Sequence, residues 1–159
     1  AKALVTQSIK DFPTVDAYLW LYQQDIQAKN YSDAEIQLVN ALKINGNNVG
    51  LLTELATLYF VQGKYTDAVA LFERSLSINR NQPIAFAYLG VSYEALGKTD
   101  QSTQVFNFLK QQIPATADKL IEQVRAQKGG SVTPAVETPE AAKVTPEVST
   151  KNTSVAKPK

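Results

Sequence analysis

The chain has 159 residues, a formal net charge of +1, 44% hydrophobic and 19% charged residues, and no cysteine, histidine or methionine. That length suits one domain, or a domain with a tail, around a sizeable core. Lacking Cys and His, it has no disulfide, no thiolate or imidazole metal site and neither of the commonest catalytic groups, and its near-zero charge lacks the basic excess of a nucleic-acid or membrane-surface binder.

Residues 1–14 carry Val5, Ser8, Ile9 and Pro13 in a spacing that reads as the second half of a helical unit, one residue out of phase. They fit either an N-terminal cap or the remnant of a longer solenoid. Ala1 in place of Met points to a processed or excised chain.

From Val15 the chain repeats itself, in evenly spaced segments that start at Val15, Val49 and Pro83. The first half of each carries Tyr18/Leu52/Phe86, Leu21/Leu55/Leu89, Tyr22/Ala56/Gly90 and Asp25/Tyr59/Tyr93. The second half carries Ala34/Ala68/Ser102, Leu38/Phe72/Phe106 and Ala41/Ser75/Leu109. Steps of three and four residues within each half are those of an amphipathic helix, and self-similarity at this period means a solenoid of helix–turn–helix units. The predicted units are 15–48, 49–82 and 83–114. Lys29-Asn30, Gly63-Lys64 and Gly97-Lys98 mark the turns, and glycine suits a left-handed residue at a helix C-terminus. Ser32-Asp33 and Thr66-Asp67 read as entry signals just before the second helices, and Pro83 as a first-turn residue. Small residues at 34, 56, 68, 90 and 102 let paired helices approach, while Tyr59 and Tyr93 are expected in the core. The longest apolar run, Leu51–Val61, is broken by Thr53, Glu54 and Thr57, and it is too short to cross a bilayer.

Residues 115–128 place Leu120, Ile121 and Val124 on one stripe, as expected of a helix that caps the stack. Beyond Gly129 there is no aromatic residue, Leu or Ile, and Thr-Pro pairs recur at 133–134, 138–139 and 145–146. Residues 129–159 are therefore expected to be a disordered tail, a spacer or a recognition segment.

The motif Leu52-x2-Leu55-Ala56-x2-Tyr59-x3-Gly63-x4-Ala68-x3-Phe72-x2-Ser75, and its partner from Phe86 to Phe106 closed by Pro114, resemble the tetratricopeptide repeat. The first unit departs from that pattern at Tyr22, Asp25 and Lys29. The resemblance implies an all-α, right-handed superhelical solenoid with a C-terminal capping helix, in which the first helices line a concave groove. The implied groove residues are Leu19, Gln23, Ile26 and Gln27, then Thr53, Thr57, Phe60 and Val61, then Ala87, Val91, Glu94 and Ala95. None is Lys, Arg or Asn, so the family's clamp on a terminal carboxylate is not expected. The groove reads instead as a site for an apolar peptide or helix of a partner protein. Trp20 fits either an anchor or the core, and Glu54 and Glu94 read as single charges on solvated faces.

The resulting expectation is a non-enzymatic scaffold or adaptor, with no cofactor, metal, nucleic acid, small-molecule substrate or membrane insertion. The alternative is a structural module that oligomerises or stacks through its end helices in a larger envelope or cytoskeletal assembly. The absence of Cys, the many Asn, Gln and Thr residues and the tail resemble tetratricopeptide domains of bacterial envelope-assembly proteins, which implies a place outside the cytoplasm.

Overall fold

The structure is a computed structural model that describes residues 2–128. It contains α1 (Lys2–Asp11), α2 (Val15–Gln27), α3 (Tyr31–Ile44), α4 (Val49–Val61), α5 (Tyr65–Ile78), α6 (Pro83–Ala95), α7 (Thr99–Gln112) and α8 (Ala117–Ala126). Among the described residues no helix is long and apolar enough to cross a membrane. The expected tail lies outside them.

Helices α2, α4 and α6 begin at evenly spaced positions, and each packs against the helix that follows it. The same turn closes all three first helices. Lys29 (φ 57°), Gly63 (φ 77°) and Gly97 (φ 71°) adopt the left-handed region. The next residue's N–H then returns to a carbonyl five residues back: Asn30 to Asp25 at 2.8 Å, Lys64 to Tyr59 at 2.9 Å and Lys98 to Tyr93 at 2.9 Å. This satisfies carbonyls that the helix end leaves without partners. In the first unit a lysine bears the cost that glycine avoids in the other two.

First helices are entered through caps, with Thr14 Oγ1 accepting from Ala17 N at 3.2 Å and Asn48 Oδ1 from Leu51 N at 3.1 Å. Pro83 takes the first helical position of α6. Second helices begin differently from expectation. Asn30 and Lys64 hold the cap positions without a side-chain cap bond, so Ser32-Asp33 and Thr66-Asp67 fall inside the first turn. Each helix starts two residues after the left-handed one, which leaves no room for a separate cap. Asp33, Asp67 and Asp100 instead complement the positive helix end.

Close approach within the third unit rests on Gly90, where an added Cβ would run into the Phe106 ring. The larger core lies over α4–α8 and centres on Phe60, Phe72 and Tyr88. Phe60 meets Tyr88 edge-on at 5.0 Å, and Tyr88 stacks on Phe72 at 5.5 Å. Ala117, Ile121 and Val124 of α8 close this core. A smaller core joins α3 and α4 through Leu38, Leu51, Leu55 and Leu58.

The residue eleventh in each unit ties it to the preceding helix pair. Tyr59 Oη donates to Glu35 at 3.0 Å, Tyr93 Oη donates to Glu73, and Asp25 pairs with Lys2 of α1. Tyr93 is buried as expected, but Tyr59 is only half-buried because its ring lies at the rim beside Lys64. Asp25 is fully buried, and α1 therefore takes the place of a second helix in front of the first unit. No residue of α1 is buried, and Leu4 and Phe12 are 76% and 77% exposed.

Candidate functional site

The first helices α2, α4 and α6 present equivalent positions in repeat register, and the expected groove residues divide into three groups. Gln23, Gln27 and Glu94 are exposed. Leu19, Ile26, Thr53, Val61 and Ala95 are half-buried. Phe60, Thr57, Ala87 and Val91 are buried, so these four do not line an open groove.

Each burial has a local cause. Phe60 lies in the seam between α4 and α6, held edge-on by Tyr65 at 5.5 Å as well as by Tyr88. Ala87 and Val91 belong to the core that α8 completes. Thr57 Oγ1 donates back to the Thr53 carbonyl at 2.8 Å, a bond within its own helix that satisfies a buried hydroxyl. Thr53 is engaged too, with its hydroxyl 2.9 Å from Ser75 Oγ and 3.0 Å from Gln82 Oε1. Glu94 accepts from Arg125 Nε of α8 at 2.9 Å, which neutralises it. Trp20 is half-buried. The accessible apolar positions thus concentrate on α2 and at the C-terminal end of α4.

A polar cluster beside these positions escaped the sequence reading. Tyr22 Oη of α2 donates to Glu54 Oε2 of α4 at 2.8 Å. Burial raises the Glu54 carboxyl above the usual carboxylate range, and the Tyr22 bond opposes that rise. Burial, the Glu54 charge and the bond to Glu54 together push the Tyr22 phenol far above its ordinary value. The Tyr88 phenol is pushed up to about 12, first by burial and then by the Glu54 charge. Tyr88 Oη in turn donates to Gln127 beyond α8. The available signal was Tyr22 itself: a large side chain at a small-residue position cannot fit between the paired helices, and it reaches the next first helix instead.

Away from this face, α5, α6 and α7 enclose an open cleft of about 420 Å³. Its floor includes Leu76, Leu89 and the Phe86–Phe108 pair, whose rings lie 4.8 Å apart, with Glu73 and Arg80 at the edge. None of the expected groove residues lines it.

Residues 25–89 match the family model described as Tetratricopeptide repeat. The Photosystem I assembly protein Ycf3 of Prochlorococcus marinus (strain MIT 9303) is 28% identical over 120 residues, covering 72% of this chain and 69% of that protein. Human Tetratricopeptide repeat protein 13 is 38% identical over 58 residues, 36% of this chain but 7% of that protein. Among solved structures, MamA AMB-1 superposes with a TM-score of 0.63 at 21% identity, covering 69% of this chain, which spans 61% of the MamA chain. The first tetratricopeptide domain of Spaghetti (RPAP3), bound to the HSP90 peptide SRMEEVD, gives a TM-score of 0.61 at 17% identity, covering 70% of this chain and 90% of that one. Residues 25–89 thus match the tetratricopeptide repeat, and the fold is the helix-pair solenoid of the solved tetratricopeptide structures.

Proposed function

We propose that this tetratricopeptide-repeat chain is a non-enzymatic interaction scaffold that takes a segment of a partner protein along the face shared by α2, α4 and α6. The observation that carries this reading is the set of accessible positions in repeat register, Leu19, Gln23, Ile26, Gln27 and Val61, on α2 and the C-terminal end of α4. They mix apolar area with amides that satisfy a bound backbone, the composition of a peptide-binding surface. The RPAP3 domain binds a peptide ending in Glu-Glu-Val-Asp. Here no Lys, Arg or Asn stands at the expected groove positions to receive a carboxylate, so the segment taken is not an acidic terminus. The family and the Ycf3 relative, an assembly protein by name, support a role in bringing other proteins together.

A photo-crosslinking side chain placed at Gln23 or Gln27 tests this. Both should capture the same partner protein from the cell of origin, whereas the same group at Gln104 on the outer helix α7 should not. Capture from position 104 alone would move the interaction to the second helices and defeat the proposal.

A second reading, stacking through an end helix, is favoured by α1. Leu4 shares the repeat register of Leu38 and Phe72, the position that packs onto a unit's own first helix, yet it is 76% exposed. An apolar end of this kind suits self-association. Sedimentation velocity should then show a concentration-dependent oligomer that is lost when Leu4 and Phe12 become Lys. A monomer at all concentrations removes this reading.

A further inference from the structure

Positions 20, 54 and 88 are equivalent in the three first helices and hold Trp20, Glu54 and Tyr88. Two are aromatic: Trp20 is half-buried, and Tyr88 fills the seam between α4 and α6. The middle one is a carboxylate, half-buried in the corresponding seam between α2 and α4. Its Oε2 accepts from Tyr22 Oη at 2.8 Å. No ion pair among the described residues includes Glu54, although Asp25, Glu35, Glu94, Asp118 and Glu122 each have a Lys or Arg partner. A carboxylate withdrawn from water without a cation is costly, and a single phenol hydroxyl offsets only part of that cost.

We infer that Glu54, with the Tyr22 phenol beside it, is the recognition site for a lysine or arginine side chain of the partner segment that the first-helix face binds. The inference rests on the interaction reading above and names what that face selects. Three features fit a cation and do not fit an apolar anchor. The carboxylate accepts one protein hydrogen bond, which leaves Oε1 to receive a charged donor. The half-buried Tyr22 ring beside it offers a π face that favours a cation over a neutral alkyl chain. The elevated Glu54 carboxyl is the expected signature of an acid whose counter-ion arrives with a ligand.

The test uses the full chain with 13C at the glutamate side-chain carboxyls and three blocked nonapeptides that differ only in the central residue: lysine, norleucine or glutamate. The lysine peptide should shift the Glu54 carboxyl and the Tyr22 ring signals saturably, at least about tenfold more tightly than the norleucine peptide. That factor corresponds to about 1.4 kcal/mol. Glu54→Gln should abolish the preference, and Tyr22→Phe, which removes the competing hydroxyl but keeps the ring, should retain it. If all three peptides shift Gln23 and Gln27 alike, the cation site is wrong while the interaction face stands. If changing Lys143, Lys151, Lys157 and Lys159 to Gln moves the Glu54 signal without any peptide, the chain's own tail holds the site, and assignment to a partner is overturned.

Discussion

The first and third units follow one pattern with different residues, and they meet its demands with different success. In the third, Gly90 admits the Phe106 ring, Gly97 takes the left-handed turn at no steric cost, Tyr93 is buried, and α8 covers the open end. In the first, Tyr22 reaches across to Glu54 of the next first helix, Lys29 is forced to positive φ, and a buried Asp25 depends on Lys2, whose own side chain is half exposed to water. Helix α2 buries only Leu21 and Asp25, whereas α6 buries eight residues. A solenoid's stability is a sum of unit and neighbour-interface contributions, so this chain is expected to be firm from α4 onward and looser at α1–α3. The loose unit is also the one whose first helix carries most of the accessible interaction positions.

Substitutions should reproduce that gradient. Phe60→Ala, which empties the seam between α4 and α6, is expected to cost about 3–5 kcal/mol in chemical denaturation. Gly90→Ala should cost about 1–3 kcal/mol, because the Phe106 ring must leave its place. At the equivalent small-residue position of the first unit, Tyr22→Phe keeps the ring against the smaller core, removes only the bond to Glu54 and should be milder than Gly90→Ala. The reverse order in melts of the two variants would break the comparison.

Finer contrasts follow at single repeat positions. Tyr93→Ala should cost more than Tyr59→Ala, since one ring is 6% exposed and the other lies half open at the rim. Roughly 3 against 1–2 kcal/mol is expected. Repairing the first turn with Lys29→Gly should stabilise by about 0.5–1 kcal/mol, as the relief of positive φ outweighs glycine's extra freedom when unfolded. Gly63→Lys should destabilise by a similar amount. Glu54→Gln gives a pH-dependent difference. The folded carboxyl is raised, so its contribution is most favourable below its unfolded value and is lost as pH rises through the folded value. The Gln variant should thus gain on the parent as pH rises from acid to neutral, and denaturation at several pH values checks the sign.

Much of the architecture was legible because it is written three times. Gly63 and Gly97 mark turns directly, and Lys29 could be recognised as a turn only from its place one repeat before Gly63. The groove was less legible for a reason particular to pairs. Whether Phe60 faces solvent depends on what stands opposite in the next helix, and Tyr88, aromatic and large, seals it. Glu54 looked like a solvated charge because its neighbour across the seam, Tyr22, is remote from it in sequence. The entry signals Ser32-Asp33 and Thr66-Asp67 had the right composition in the wrong place, within the first turn of helices that start two residues after a left-handed one.

Native-state hydrogen exchange, read residue by residue at low denaturant, tests the division between a firm body and a looser interaction unit most directly. Amides in the middle of α4, α5, α6 and α7 should exchange only through global unfolding, with a common opening free energy and a common dependence on denaturant. Those of α2 and α3 should open at lower free energy and with a smaller denaturant dependence, as a separate cooperative step. One shared opening for all of these helices, or protection higher in α2 than in α6, would contradict the account.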